Sequence, residues 1–389
     1  MMRITRRTLA GCSVVLALAA GCSAQDRGAQ PTTPGATPGA APALSDRLTV
    51  PAGFTVRYFA QNLGGVRFLA LGPDGAVYAS VPGTNTVMRL TDVDGDGVAD
   101  SNVVAVSGLN RPQGLAFHKG YLYIANTDGV VRVRLDANGR ASGEPEALNH
   151  FSGGGTHWTR SIAFGADSAM YVSVGSSCNL CVEKDSTRAA VMRYDEDGRN
   201  GHVFARGLRN AVGIALNPAT GQIWVSQNER DNIAPDHQNL PPEEINILRA
   251  GGDYGWPYCY SLHGAAVPNP EYHDAPRCSA TIPAALEMQA HSAPLGITFL
   301  HDATGFPDEY RGDLLVAFHG SWNRDEPTGA KVVRVNIVNG QPVSVEDFVT
   351  GWQLANGDRW GRPVDAIVYR DGSVLISDDA GGTIYRVSH

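Results

Sequence analysis

The chain has 389 residues, with 31 lysines and arginines against 39 aspartates and glutamates, which gives a formal net charge of −8. An acidic body argues against nucleic acid as a partner. Apolar residues make up 43% of the chain, yet no apolar run after residue 25 approaches the roughly 20 residues that a membrane-spanning helix needs.

The first 22 residues have the layout of a secretory signal, because Arg3, Arg6 and Arg7 precede the apolar run VVLALAA. The small residues directly before Cys22 are similar to a bacterial lipobox, which predicts cleavage at that point and a lipid on Cys22. The adjacent arginines are also similar to a twin-arginine signal, and the ordinary secretory route stays open.

Residues 23–47 are rich in proline, glycine and alanine without periodicity, and this composition predicts a flexible tether. Signal and tether together predict an exported lipoprotein that faces the periplasm or the cell exterior. Its N-terminal lipid anchor is the only membrane contact that we expect. Residues 48–389 are predicted to form a single domain.

Short apolar strands recur six times in this domain. They are VYAS (77–80), LYIA (122–125), MYVS (170–173), IWVS (223–226), LLVA (314–317) and VLIS (374–377). A segment of similar sequence precedes each of these strands, and a second strand that carries a basic residue follows most of them. Their starts lie 45 to 91 residues apart, a spacing that favours propeller blades over solenoid turns. The sequence therefore predicts an all-β fold, a six-bladed β-propeller with four-stranded antiparallel blades.

An acidic loop, DVDGDGVAD, follows the first repeat. Asp92, Asp94, Asp96 and Asp100 occupy the first, third, fifth and ninth positions of an EF-hand-like pattern. The twelfth position is Val103 rather than glutamate, so the bidentate ligand is missing. The alternatives are a second, structural calcium site distant from catalysis and a solvated hairpin turn.

Four cysteines remain in the domain after the signal is removed. An even number in an exported chain favours two disulfides, most simply Cys178–Cys181 and Cys259–Cys278. The alternative for the CxxC pair is a redox site or half of a zinc site. No CxxCH motif occurs, so no covalently attached haem is expected.

The loops that lead into the innermost strands of a propeller converge on one axial mouth, where function is expected. Six residues before the aligned position of each inner strand stand Gly64, Asn110, His157, Arg209, Ser292 and Arg362. Close to them stand Arg67, Gln113, Asn210 and Asp365. Basic and imidazole side chains at one mouth predict a site for an anionic, planar or polycarboxylate ligand, with a histidine for proton transfer. The alternative is that these polar residues cap blade loops.

Five longer segments carry a family resemblance. They are HWTRSIAFGADSAMYVSVGSS (157–177), GLRNAVGIALNPATGQIWVSQNERD (207–231), INILRAGGDYGWPYCY (245–260), LLVAFHGSWNR (314–324) and GRPVDAIVYRDG (361–372). They are similar to the pyrroloquinoline quinone (PQQ) dependent glucose/sorbosone dehydrogenases, a family that includes soluble quinoprotein glucose dehydrogenase. The resemblance covers residues 48–388.

The resemblance implies a propeller that holds PQQ above a calcium ion at its mouth and oxidises a sugar. His157 matches the family's base, which takes the hydroxyl proton of the substrate while hydride passes to the quinone. The residues that match cofactor-binding positions are Arg67, Arg209, Asn210 and Arg362. His319 and Arg324 stand in the region of a lysine that contacts the cofactor in the glucose enzymes.

The resemblance also places the cofactor calcium on the backbone carbonyls of Glu229 and Arg230, and whether Asp231 or Asp236 adds a carboxylate stays open. Glucose specificity is not carried over. Because the chain has no haem motif, electrons are expected to leave to a separate acceptor.

Two other functions remain as alternatives. A calcium-dependent lactonase or other hydrolase would need several Asp, Glu or Asn side chains at the mouth, and the sequence predicts a mouth too basic for that. A non-catalytic, sugar-binding surface propeller predicts no bound cofactor and no effect of changing His157.

Overall fold

The computed structural model describes residues 43–389. The predicted signal at 1–22, the lipidation site Cys22 and nearly all of the tether predicted at 23–47 lie outside the described residues. Within 43–389, no helix combines the length and the hydropathy that crossing a membrane requires.

Strands make up most of the regular structure. The first nine are β1 (Thr55–Ala60), β2 (Leu69–Leu71), β3 (Val77–Val81), β4 (Thr86–Thr91), β5 (Ser101–Val106), β6 (Leu115–His118), β7 (Tyr121–Asn126), β8 (Gly129–Val133) and β9 (Glu146–Ala147). The next nine are β10 (Arg160–Phe164), β11 (Met170–Val174), β12 (Ala190–Tyr194), β13 (His202–Arg206), β14 (Ala211–Leu216), β15 (Ile223–Gln227), β16 (Glu243–Ile247), β17 (Gly252–Asp253) and β18 (Cys259–Leu262).

The remaining strands are β19 (Ala265–Pro268), β20 (Leu286–Met288), β21 (Pro294–Phe299), β22 (Leu314–Phe318), β23 (Lys331–Val338), β24 (Gln341–Val349), β25 (Pro363–Val368), β26 (Val374–Asp378) and β27 (Thr383–Ser388). The described chain also has one α-helix, α1 (Ala275–Cys278), and three 3-10 helices, Leu44–Asp46, Pro82–Thr84 and Asp308–Tyr310.

The predicted six-bladed propeller is confirmed. The blades are β2-β3-β4-β5, β6-β7-β8-β9, β10-β11-β12-β13, β14-β15-β16-β20, β21-β22-β23-β24 and β25-β26-β27-β1. Their first strands lie side by side in a closed ring, since each of them contacts the next and β25 contacts β2. The third blade has β17 as an additional strand, parallel to β13, and β18 and β19 form a separate hairpin.

The last blade takes its outermost strand from the start of the domain. Strand β1 pairs antiparallel with β27, so that Thr55 lies opposite Ser388 and Val56 lies opposite Val387. This pairing joins the two ends of the described chain and closes the ring.

The six apolar repeats are the second strands of the blades. Every residue of β3 and of β22 is buried, because blades pack face to face and cover both sides of these strands. The core lies between neighbouring blades; Tyr78 of the first blade, for example, packs in one cluster with Leu122 and Ile124 of the second. Burial on both faces explains why these strands are continuous apolar runs.

A serine in the second strand fixes the start of the inner strand in four blades. These serines are Ser80, Ser173, Ser226 and Ser377. In the fourth blade a β-bulge separates Ala211 from Gly213, and the Gly213 N–H donates to the Ser226 hydroxyl at 2.9 Å. That hydroxyl donates in turn to the Leu295 carbonyl of the next inner strand at 2.6 Å. The hydroxyl therefore satisfies backbone that the bulge leaves unpaired, directly below the mouth.

Both predicted disulfides are confirmed. Cys178–Cys181 closes a short loop after β11, and Cys259–Cys278 joins β18 to α1.

Candidate active site

A cavity of about 180 Å³ lies at the mouth of the ring. Its lining residues lie at the start of an inner or third strand, or at the end of a second strand. Because neighbouring strands in a blade are antiparallel, all these positions lie at the same edge of the propeller. Four predicted site residues line it together, namely His157, Arg209, Asn210 and Glu229. Asp231, Glu243, His291, Trp322 and Asn323 line it as well.

The position of His157 is set by Ser176. The Nδ1 atom of His157 lies 2.9 Å from the Ser176 carbonyl oxygen and 2.9 Å from its hydroxyl. Because a carbonyl can only accept, Nδ1 carries the hydrogen and Nε2 keeps a free lone pair. Within residues 43–389, no protein group hydrogen-bonds to Nε2. The imidazole can therefore accept a proton from a molecule in the cavity.

The environment keeps His157 neutral. Burial, together with the nearby positive charge of Arg209, lowers the pKa of His157 to about 3. A histidine with this pKa is unprotonated at neutral pH, which is the state that a general base requires.

Gly175 allows the base and Asn210 to approach each other closely. A Cβ atom at Gly175 would lie 2.6 Å from the Cβ of His157 and 2.6 Å from the Oδ1 of Asn210. Both distances are too short for non-bonded atoms, so only glycine fits between these two side chains.

Arg209 is held by its own chain. Its side chain is 5% exposed. Its Nε and one terminal nitrogen donate to the carbonyl and the side-chain oxygen of Asn179, at 3.0 and 2.9 Å. The other terminal nitrogen donates to the carbonyls of Asn228 and Glu229, at 3.2 and 2.7 Å. The terminal nitrogen that bonds the Asn179 side chain also lies 3.4 Å from a carboxylate oxygen of Asp231. Arg209 thus offers the cavity mainly its positive charge, since its N–H groups already have partners.

Three acidic residues line the same cavity, Glu229, Asp231 and Glu243. Burial raises the pKa of Glu229 and raises that of Glu243 to about 8. The Glu229 carbonyl, predicted as a calcium ligand, already accepts from Arg209, which leaves its second lone pair for a cation. This oxygen-rich set suits a hard cation such as Ca²⁺. The guanidinium of Arg230 points elsewhere and pairs with Glu271 at 2.5 Å.

A second cluster at the mouth is centred on Asp379, which the sequence analysis did not assign. Its carboxylate pairs with Arg67 at 2.5 Å, with His319 at 3.0 Å and with Arg362 at 3.0 Å. Arg67 also donates to Gln113 at 3.0 Å. Three predicted cofactor-binding residues are therefore brought together around one carboxylate.

The Asp379 cluster carries an excess of positive charge. Burial alone would raise the pKa of Asp379, but its bonds to His319, Arg67 and Arg362 outweigh burial and lower the pKa to about 2. Burial also lowers the pKa of His319. The Nε atom of Arg362 is buried without a hydrogen-bond partner among the described residues. Two arginines against one carboxylate leave net positive charge at this cluster, which favours an anion.

Arg324 belongs neither to the cavity nor to the Asp379 cluster. It donates to the Gln238 carbonyl and, at 3.4 Å, to the side chain of Asn239. Asp236 caps this same loop by accepting from the Asn239 N–H at 3.0 Å. Arg324 thus holds the 236–239 loop, and it does not line the cavity.

The acidic loop lies at the opposite edge of the propeller, between β4 and β5. Oxygens of Asp92, Asp94 and Asp100 lie within 4.8 Å of one another, and Asp96 is not part of this group. Asp92 is buried and accepts from the N–H groups of Gly95 and Gly97 within its own loop. Any cation bound there would be remote from the cavity.

Residues that sequence analysis missed share a recognisable position. Asp379 follows second strand β26, and Ser176 and Asn179 follow β11. The strand-end rule that selected the residues before inner strands applies equally to these, because both sets lie at the same edge.

The comparisons with known proteins agree on this architecture. The TrAA12-like family model matches residues 48–389. An uncharacterised protein of Borreliella burgdorferi is 29% identical over 364 residues, which cover 90% of this chain and 92% of that protein. A pyrroloquinoline quinone-dependent sugar dehydrogenase of Hypocrea jecorina is 25% identical, covering 86% and 87% of the two chains.

The chain is also similar to solved structures. The holo form of the PQQ domain of pyranose dehydrogenase from Coprinopsis cinerea superimposes with a TM-score of 0.77 at 23% identity, over 88% of this chain and 97% of that one. The calcium structure of a Trichoderma reesei carbohydrate-active enzyme of family AA12 gives a TM-score of 0.77 at 21% identity, over 88% and 97%. At these identities the likeness establishes the shared fold.

Proposed function

Since the chain belongs to the TrAA12-like family, within the PQQ-dependent sugar dehydrogenases, we propose that it is a sugar oxidoreductase that uses PQQ and calcium. The substrate is an aldose or related sugar, oxidised at a hydroxyl or hydrated aldehyde. The observation that carries this proposal is the unpartnered Nε2 of a neutral His157, which shares a cavity with Arg209 and Asn210.

In this proposal His157 accepts the hydroxyl proton of the sugar at Nε2. The hydrogen bond from Nδ1 to the Ser176 carbonyl holds the ring and stabilises the imidazolium that forms. When bound, PQQ supplies the acceptor for the hydride of the sugar. Proton removal by His157 strengthens hydride donation, because an alkoxide releases hydride more readily than an alcohol.

The residues at the mouth fit a planar polycarboxylate. Arg209 supplies buried positive charge, and Asn210 adds an amide in the cavity. In the Asp379 cluster, Arg67 and Arg362 carry more positive charge than Asp379 neutralises, and the buried Nε of Arg362 lacks a partner in the described structure. Charge-assisted bonds of this type favour carboxylates and quinone oxygens.

The carboxylates of Glu229, Asp231 and Glu243 and the Glu229 carbonyl would hold calcium, which adds a positive charge beside the cofactor. Electrons are proposed to leave to a separate acceptor. The signal-like residues 1–22 support the proposal that the protein is exported and anchored through Cys22.

A calcium-dependent hydrolase remains a second candidate because of these carboxylates. The sequence predicts a mouth too basic for such an enzyme, whereas Glu229, Asp231 and Glu243 all line the cavity. A cation held by them could polarise a lactone carbonyl.

One experiment separates the two functions. Apoprotein is titrated with PQQ in the presence of Ca²⁺, followed by absorbance, and is then assayed for dye reduction with a panel of aldoses and for hydrolysis of sugar lactones. PQQ binding with aldose-dependent dye reduction supports the proposal. Calcium-dependent lactone hydrolysis without PQQ binding would replace it with the hydrolase.

A further inference from the structure

Asn179 is a junction between the third and fourth blades. Its side-chain oxygen accepts from Arg209 and from the Asp231 N–H, both at 2.9 Å. Its side-chain nitrogen donates to the Asp231 carbonyl at 3.1 Å, and its own carbonyl accepts from Arg209 at 3.0 Å and from Trp256 at 3.3 Å. One residue therefore fixes both the arginine and the acidic residue of the cavity.

The loop that carries Asn179 is also connected to His157, the proposed base. The Ser176 hydroxyl, 2.9 Å from Nδ1 of His157, donates to the Cys178 carbonyl at 2.7 Å. Ser176 is fully buried, so its hydroxyl has no water to replace a lost partner. The Cys178 carbonyl thus sets the direction of the Ser176 hydroxyl, one of the two groups that contact Nδ1 of His157.

The Cys178–Cys181 disulfide encloses Asn179 and begins at Cys178. A four-residue loop without regular structure has many backbone conformations, and a covalent cross-link removes most of them. We propose that the 178–181 disulfide loop is the positioning element of the site, which orients His157 through Ser176 and orients Arg209 and Asp231 through Asn179.

This inference rests on the proposed function for its catalytic consequences, but the geometry it describes exists without any ligand. Two single substitutions separate its two arms. Asn179→Ala removes the side-chain oxygen and nitrogen that bond Arg209 and the Asp231 backbone. Ser176→Ala removes only the hydroxyl between His157 and the loop. Cys178→Ser/Cys181→Ser releases both arms, and Cys259→Ser/Cys278→Ser is the matched control, since that disulfide joins β18 to α1 outside the cavity.

For the reconstituted holoenzyme, Asn179→Ala should weaken PQQ binding by about tenfold, because one bond to the charged Arg209 and two bonds to the Asp231 backbone are lost. Ser176→Ala should lower kcat by about fivefold with unchanged PQQ affinity. The Cys178→Ser/Cys181→Ser protein should show both changes. The control protein should keep both values within about twofold even where its melting temperature falls, which distinguishes positioning from general stability.

A second readout uses the apoprotein. In ¹⁵N NMR spectra, His157 should be the Nδ1–H tautomer in the wild type and a mixture of tautomers in the Cys178→Ser/Cys181→Ser protein. The terminal N–H of Arg209 that donates to the Asn179 side-chain oxygen should lose its protection from solvent exchange in Asn179→Ala. Unchanged tautomer and protection in these variants would overturn the inference whether or not PQQ binds, whereas failure of the wild type to bind PQQ, with these NMR changes present, would overturn only the proposed function.

Discussion

The Nδ1 atom of His157 lies 2.9 Å from the carbonyl oxygen of Ser176, a group that can only accept a hydrogen bond. This contact determines which ring nitrogen carries the hydrogen, and it turns the free lone pair of Nε2 toward whatever occupies the cavity. The chemistry proposed for the site depends on this one orientation.

Replacing His157 tests the base directly. In His157→Asn the side chain can still donate to Ser176, but it cannot accept a proton, so kcat should fall by about 10²-fold to 10⁴-fold. PQQ affinity, measured by absorbance titration, should change by less than about threefold. The control is His263→Asn, because His263 is exposed in the β18–β19 turn. A variant that retains turnover would remove His157 from the reaction.

The low pKa of His157 should appear in the stability of the apoprotein. The unfolded chain binds a proton at this residue near pH 6.5, while burial and Arg209 lower the native pKa to about 3. Between these values the unfolded state holds more protons, so native stability is lost as the pH falls. The free energy of unfolding of the wild type, relative to His157→Asn, should decrease with a slope that approaches about 1.4 kcal/mol per pH unit. Urea unfolding at several pH values measures this difference, and a constant difference would show that His157 titrates normally.

Asp379→Asn should destabilise the protein by about 3 kcal/mol, because it leaves Arg67 and Arg362 without their shared carboxylate. Exposure of Arg362 moderates this loss. The control is Asp308→Asn, whose pair with Arg311 is on the surface and should contribute little. Equal stability of the two variants in urea unfolding would show that the Asp379 cluster is not a structural unit.

Two arginines at the mouth should behave differently when replaced by alanine. Arg209→Ala removes a buried guanidinium with five hydrogen-bond contacts, so it should reduce both PQQ affinity and, by about 3 kcal/mol, stability. Arg362 is 42% exposed, and Arg362→Ala should weaken PQQ binding by about tenfold with a small effect on stability. Arg386→Ala, at the opposite edge of the propeller, is the control. Unchanged PQQ affinity in Arg362→Ala would place the cofactor away from the Asp379 cluster.

The fold was predictable because blade packing leaves a local signature. Second strands such as β3 and β22 are covered on both faces, and this burial requires the continuous apolar runs that recur in the sequence. The pairing of β1 with β27 had no such signature, because hydrogen bonds between backbone groups more than 300 residues apart impose no pattern on either strand.

The site was predictable in part for the same topological reason. His157, Arg209 and Arg362 precede inner strands, and that position places all three at the mouth. Strand position does not determine side-chain direction, however. Arg324 follows β22 but extends to the carbonyl of Gln238. The N–H groups of Arg209 donate to Asn179, Asn228 and Glu229. Such contacts depend on loop conformations that no repeat specifies.

Sugar-dependent dye reduction by PQQ-saturated, calcium-loaded protein is the most direct measurement of the proposed activity. Wild-type protein should reduce the dye with at least one member of a panel of pentoses, hexoses and sorbosone, and His157→Asn at equal PQQ occupancy should be slower by about 10²-fold or more. A PQQ-saturated wild type that is inactive with every sugar, or a His157→Asn variant that is equally fast, would contradict the assignment of this cavity as a sugar-oxidising site with His157 as its base.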